Sequence, residues 1–144
     1  DENVKNLREG KSHVYESGLN ELFEQHASNI IFSNDYSLLK DCNVILVTVG
    51  TPLTDKFDAD LSGLIDVAKN LGEFIATGAL VCIKSTVTPG STDNFAKQIE
   101  DTSGKKAGID YFLAFSPERI AEGRAISEFC EFPIVVGADD LGQL

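Results

Sequence analysis

The sequence predicts an α/β fold, a doubly wound parallel sheet with helices packed along it. Three observations lead there. Short β-branched runs alternate with helical stretches along the chain. The runs are continuously apolar rather than alternating, the pattern of strands covered on both faces. Three of them end in Gly, Pro, Ser and Thr, residues suited to the ligand-bearing carboxyl edge of such a sheet.

The strand candidates, in order, are residues 30–32 (Ile-Ile-Phe), 44–49 (Val-Ile-Leu-Val-Thr-Val), 80–83 (Leu-Val-Cys-Ile), 111–115 (Tyr-Phe-Leu-Ala-Phe) and 133–136 (Pro-Ile-Val-Val). The clearest helix spans about residues 61–76. There Leu61, Leu64, Ile65, Ala68, Leu71, Phe74 and Ile75 recur at three- and four-residue spacing and form one apolar stripe. Asp60 is placed to cap its start and Gly78 to stop it. Weaker helical patterns cover residues 19–26, 36–40, 92–100 and 121–129, and residues 101–108 read as a polar loop. Gly10-Lys11-Ser12 resembles the end of a phosphate loop, but the glycine such a loop needs at position 5 is Lys5, so this too reads as a polar loop.

The 144 residues fit one domain or part of a larger chain, and 42% of them are apolar, as in a globular protein. A net charge of −11 repels phosphate backbones and argues against nucleic-acid binding, though not against a small anion held by backbone N–H groups. Cys42, Cys82 and Cys130 are widely spaced and form no CxxC pair, and His13 and His26 lie far from them, so neither a metal site nor a disulfide framework is expected. Cys42 and Cys82 border or enter apolar runs and read as core thiols. No run approaches the roughly 20 apolar residues that span a bilayer, and no signal-peptide pattern opens the sequence. No membrane association and a cytoplasmic location are expected.

The strand ends carry the candidate chemistry. Residues 44–49 are followed by Gly50-Thr51-Pro52, and 80–83 by Lys84-Ser85-Thr86-Val87-Thr88-Pro89-Gly90. Residues 111–115 are followed by Ser116-Pro117-Glu118-Arg119, with Glu122-Gly123 a little further on. In a parallel sheet all three segments leave from one edge. Thr51, Ser85 and Thr86 offer small hydroxyls that donate and accept. Glu118 and Glu122, four apart, share a face if the segment is helical. Carboxylates beside hydroxyls suit proton abstraction or water activation. Turn chemistry followed by a capped helix explains any one of these ends more readily than three in succession.

These residues also carry a resemblance. Ser85-Thr86-Val87-Thr88-Pro89-Gly90 resembles the STVPPG segment of the UDP-glucose/GDP-mannose dehydrogenase family, and Val49-Gly50-Thr51-Pro52 its VPTP or VGTP segment. Ser116-Pro117-Glu118-Arg119-Ile120-Ala121-Glu122-Gly123 resembles its SPER or NPEF segment, and residues 10–19 its stretch ending EPGL. The order and spacing of all four agree over nearly the whole chain. The resemblance implies a Rossmann-like NAD-binding domain of an enzyme that oxidises the C6 alcohol of a nucleotide sugar to the acid with two NAD⁺, through a cysteine thioester. It further implies Thr51, Pro52 and Ser85 along the cofactor and Thr86 at the hydrolytic water. Glu118 would link that water to substrate, Arg119 and Ile120 would lie along the nucleotide sugar, and Glu122 near the nicotinamide carboxamide. The wording Ser-Pro-Glu-Arg is closer to members acting on UDP-N-acetylhexosamines such as UDP-N-acetylmannosamine.

Set against the family, the 144 residues hold no G-x-G-x-x-G fingerprint. They lack the family's catalytic cysteine, which lies in a later domain. Cys130, between acidic neighbours that disfavour a thiolate, is rejected as that nucleophile. The chain is therefore expected to be a partial NAD-binding domain, residues 1–144, without the first two strands and inactive alone. Asp1 is either the family's ribose-binding acid or a solvated terminal carboxylate. The missing central strands would leave 44–49 as an apolar edge. Such an edge invites dimerisation through that strand, a non-family pairing of 30–32, or poor order over residues 1–35. A homo-oligomer is expected. The competing functional classes are a stand-alone binding domain that keeps the fold without catalysis, and a dehydrogenase of small hydroxy acids, against which the Ser-Pro-Glu-Arg strand end argues.

Overall fold

Among the described residues of the computed structural model four strands make one sheet: β1 (Val44–Val47), β2 (Leu80–Ile83), β3 (Phe112–Phe115) and β4 (Gly137–Ala138), in that spatial order. The first three are parallel and in step, with Val47, Ile83 and Phe115 side by side at their carboxyl ends. β4 runs antiparallel to β3. The structure describes residues 2–12, 14–121, 123–129, 131 and 133–138. Asp1, Glu122 and Cys130 therefore lie outside the described residues.

Two expected strands differ. Residues 30–32 are extended at Ile30 but belong to no strand, because no strand among the described residues runs beside them to complete a ladder. The expected non-family pairing of this segment is not formed. Residues 133–136 are likewise unpaired, and Ile134 and Val135 stay exposed. Pairing begins only at Gly137, opposite Phe115.

The chain divides into two compact units. The larger comprises residues 36–118 with 134–144 and holds the sheet. Its two long helices, α3 (Ser62–Phe74) and α4 (Ser91–Ser103), connect successive parallel strands, β1 to β2 and β2 to β3. Leu64, Ala68 and Leu71 from α3 and Phe95 and Ile99 from α4 form one buried cluster with Ile45, Val47, Val81, Ile83 and Leu113. Val44 and Leu46, on the opposite face of β1, are 58% and 61% exposed, so this strand is covered on one face only, despite its continuous hydrophobicity. Among the described residues β1 pairs with β2 alone and is an edge.

The cap position of α3 falls to Leu61, one residue later than expected, while the Asp60 carboxylate just before it accepts the Ser62 N–H at 2.9 Å, and bonds from Ser62 hold that carboxyl below its usual range. Its last turn closes with the Ile75 N–H on the Leu71 carbonyl, while the Lys105 ammonium donates to the Ile75 carbonyl. Gly72 is buried on the face towards α4. A methyl there would lie 2.7 Å from Thr102 Cβ and 3.2 Å from the Ile99 carbonyl oxygen, so glycine permits the close approach of the two helices. α4 runs further than expected. Residues 101–103, read as loop, are its last turn, and Gly104 at φ 74° stops it. The hydroxyls of Thr102 and Ser103 donate back to Gln98 and Ile99 carbonyls, so a polar composition there does not break the helix.

The smaller unit comprises residues 1–35 with 119–133. It holds α1 (Glu2–Arg8), α2 (Leu19–His26) with a 3₁₀ turn Ala27–Asn29, and α5 (Ala125–Glu128). α1 ends at Gly10, φ 74°, with the Lys11 N–H returning to the Asn6 carbonyl, which gives Gly10-Lys11-Ser12 the role of a helix stop. α5 is shorter than the expected 121–129. None of this unit's described residues is fully buried. A cavity of about 780 Å³ lies within it, lined by Leu7, Arg8, Lys11, Phe23, Ile30 and Phe32 among others.

Candidate active site

The carboxyl ends of β1, β2 and β3 bring most of the expected site residues to one edge of the larger unit. Beyond Val47 the first two strands diverge. The Val47 carbonyl accepts both the Lys84 and Ser85 N–H groups, at 2.8 and 3.2 Å, which ends the regular ladder. Side chains then bridge the gap: Ser85 Oγ donates to the Val49 carbonyl and Thr51 Oγ1 to the Thr86 carbonyl, both at 2.7 Å. Ser85 is buried and Thr51 half-buried. Their hydroxyl protons are committed to the backbone, so towards a ligand they keep lone pairs that accept. Thr86 and Pro52 are exposed on the rim.

Pro52 opens a tight loop that returns at Asp60, whose N–H donates to the Pro52 carbonyl at 2.7 Å. Leu53 and Ala59 face each other across it, and Thr54 Oγ1 accepts the N–H groups of Lys56 and Asp58. Phe57 at its tip has φ 63°, a left-handed conformation costing a side-chain-bearing residue roughly 1–2 kcal/mol. After β2, Thr88 and Ser91 share a hydroxyl contact at 3.0 Å and Gly90 (φ 84°) turns the chain into α4.

At the third strand end the Ser116 N–H continues the ladder to the Ile83 carbonyl, Pro117 offers no N–H, and the Glu118 N–H donates to the Lys84 carbonyl at 3.1 Å. Glu118 is thus tied to β2 and is not helical. The shared helix face expected for Glu118 and Glu122 is not formed at Glu118, and Glu122 lies outside the described residues. Instead Glu118 Oε2 lies 3.2 Å from Lys84 Nζ, which also reaches Ser116 Oγ at 3.5 Å. Lys84 was passed over among the sequence candidates. The in-step register of β2 and β3 was the signal that could have revealed it, since it sets residue 84 beside 116–118.

Arg119 and Ile120 belong to the smaller unit, where the Arg119 guanidinium donates to the Pro133 carbonyl. The 780 Å³ cavity also lies in that unit and is not lined by any expected site residue. Of the thiols read as core, Cys42 packs against the core cluster. Cys82 is half-buried on the other face of the sheet, and burial pushes its thiol up against the opposing influence of the Lys84 charge.

Among the described residues no helix is long and apolar enough to cross a membrane. Residues 1–143 match the model of the UDP-glucose/GDP-mannose dehydrogenase family, NAD binding domain. The UDP-glucose 6-dehydrogenase AglM of Haloferax volcanii is 36% identical over 141 residues, 94% of this chain and 33% of that protein. The solved structure of the UDP-D-ManNAc dehydrogenase from Pyrococcus horikoshii superimposes with a TM-score of 0.93 at 30% identity, over 99% of this chain and 34% of that one. A ternary complex of GDP-mannose dehydrogenase from Pseudomonas aeruginosa gives 0.91 at 32%, over 99% and 35%. The chain spans about a third of the length of the curated relatives it matches.

Proposed function

The chain belongs to the UDP-glucose/GDP-mannose dehydrogenase family as its NAD binding domain, and from that premise we propose that it is the cofactor-side part of an enzyme oxidising the C6 alcohol of a nucleotide sugar to the uronic acid. NAD is the cofactor of the matched domain. NAD, when bound, supplies the hydride acceptor. The sheet edge offers this cofactor neutral groups, the hydroxyls of Thr51, Ser85 and Thr86, with the lone pairs of Thr51 and Ser85 suited to accept from carboxamide N–H groups and the nearby carboxylate of Glu118 balanced by Lys84. The fingerprint glycines that would cradle a pyrophosphate are not among these 144 residues, so the fit concerns the rim beyond the strand ends.

The observation that carries the proposal is the seam in which Ser85 and Thr51 hold β1 and β2 together beside the Lys84–Glu118 pair. Thr51, Pro52 and Ser85 then form a fixed wall for the cofactor, their lone pairs accepting from amide N–H groups. Thr86, exposed beside it, hydrogen-bonds the water that enters the second half of the oxidation. Glu118 accepts a proton from that water or holds it in line. Arg119 and Ile120 contact the nucleotide sugar, and Glu122 the carboxamide end of the cofactor. The relatives are named for UDP-glucose, UDP-D-ManNAc and GDP-mannose. The Ser-Pro-Glu-Arg wording favours a UDP-N-acetylhexosamine, UDP-N-acetylmannosamine first.

The test is to offer the enzyme containing this chain NAD⁺ with each of UDP-N-acetylmannosamine, UDP-glucose and GDP-mannose, following NADH absorbance. Two NADH per sugar consumed is the expected result, fastest with the N-acetylated sugar. NAD⁺ binding without NADH from any sugar would favour a binding domain without catalysis.

A further inference from the structure

We infer that Lys84 is a positioning residue for the reaction, acting through Glu118. The inference rests on the proposed function, because it gives Glu118 something to be positioned for. Its physical basis is local. The Lys84 main chain is held from both neighbouring strands, its N–H on Val47 and its carbonyl under the Glu118 N–H. The origin of the side chain is therefore fixed by the sheet and not by a mobile loop.

From that origin Nζ lies 3.2 Å from Glu118 Oε2 and 3.5 Å from Ser116 Oγ. The Lys84 side chain is only 18% exposed, against 44% for Glu118. The ammonium is thus the withdrawn partner and the carboxylate the one that faces outward. A surface ion pair between two flexible side chains does little. Here one partner is largely desolvated and anchored in the ladder, so it fixes the carboxylate's direction as well as balancing its charge. Among the described residues the Ser116 hydroxyl also faces the ammonium, and the Cys82 thiol lies on the same sheet face; neither offers a permanent charge.

The consequence is a division of labour. Glu118, the more exposed of the two, meets water and substrate, while Lys84 holds its Oε2 from behind and sets the direction of the carboxylate. Removing the ammonium frees the carboxylate to turn away from the reacting groups.

The experiment uses the complete enzyme that contains this chain. A carbodiimide should join Lys84 to Glu118 as an amide with loss of water, seen by peptide mass mapping. Absence of that cross-link, with other close pairs such as Lys97 and Asp101 joined, overturns the inference whatever the activity. Lys84→Ala should lower kcat by about tenfold to a hundredfold while KM for NAD⁺ stays within about twofold. Lys84→Arg, or methylammonium added to the alanine variant, should restore part of the loss. An unchanged kcat, or a loss that neither Arg nor methylammonium restores in a variant with an unchanged melting point, overturns it. If the unsubstituted enzyme turns over no nucleotide sugar while the cross-link forms, it is the proposed function that fails, and the positioning role with it.

Discussion

Helices α2 and α3 carry apolar residues at the same helical spacing, yet they end in different circumstances. α3 buries Leu64, Ala68, Leu71 and Gly72 against a strand layer and a second helix. α2 buries nothing, and Leu22 remains 40% exposed. The same contrast runs through the two units. One builds a core from three parallel strands and two helices. The other, with three helices and a 3₁₀ turn but no sheet, holds no fully buried residue among those described. An apolar stripe is enough to make a helix, but burial needs a second and third surface to meet it.

The sharpest way to break this comparison is to delete side chains in both units. Leu71→Ala removes a side chain with no exposure at the α3–sheet contact and should cost about 2–5 kcal/mol in urea unfolding. Leu22→Ala should change stability by under about 1 kcal/mol. Equal losses would mean that the two units do not differ in the way their burial indicates.

A second test uses tyrosines. Tyr111 is fully buried with its hydroxyl unpartnered, and burial pushes its ionisation up to about 12, with Glu100 adding to the effect. The folded state therefore holds that proton where the unfolded state has released it. Stability is intact below about pH 10 and should fall by about 2 kcal/mol as the pH rises from about 10 to about 12. Tyr111→Phe should remove this alkaline loss and cost little at neutral pH, since no hydrogen bond is broken. Tyr15→Phe, at a side chain 92% exposed, should leave neutral-pH stability within about 0.5 kcal/mol. Alkaline unfolding curves of the three proteins decide it.

The smallest expected effect is at Gly72. Alanine gains about 1 kcal/mol of helix propensity there but collides with Thr102, so Gly72→Ala should be net destabilising by about 1–2 kcal/mol. A stabilised variant would show that α3 and α4 can separate freely.

Much of the larger unit was legible in the residues themselves. The stripe 61–76 became α3, its start one residue later than an Asp60 cap would set it, and the three runs ending in Gly-Thr-Pro, Ser-Thr and Ser-Pro-Glu became parallel strands leaving one edge. What escaped depended on partners distant in sequence. Residues 30–32 have strand composition but no neighbour, and 133–136 wait until Gly137 to pair. Glu118 looked like the start of a helix face because the spacing to Glu122 is local. The bond from its N–H to Lys84, 34 positions earlier, is set by register and overrides that spacing. The same register hid the Lys84 side chain from any reading of its own segment.

The contact between Gly72 and Thr102 also limits how this sequence can change over generations. Any residue other than glycine carries a Cβ, and it is the Cβ of Thr102 that lies closest to where a new one would sit at position 72. Exchanging Thr102 for serine or alanine removes the Cγ2 contact at 3.0 Å but leaves the Cβ contact at 2.7 Å. Glycine at 102 would remove both, weakening the last turn of α4, and would still leave the Ile99 carbonyl oxygen 3.2 Å from a methyl at 72. The backbone of α4 as well as its side chains therefore holds glycine at position 72, and no single exchange at 102 releases it.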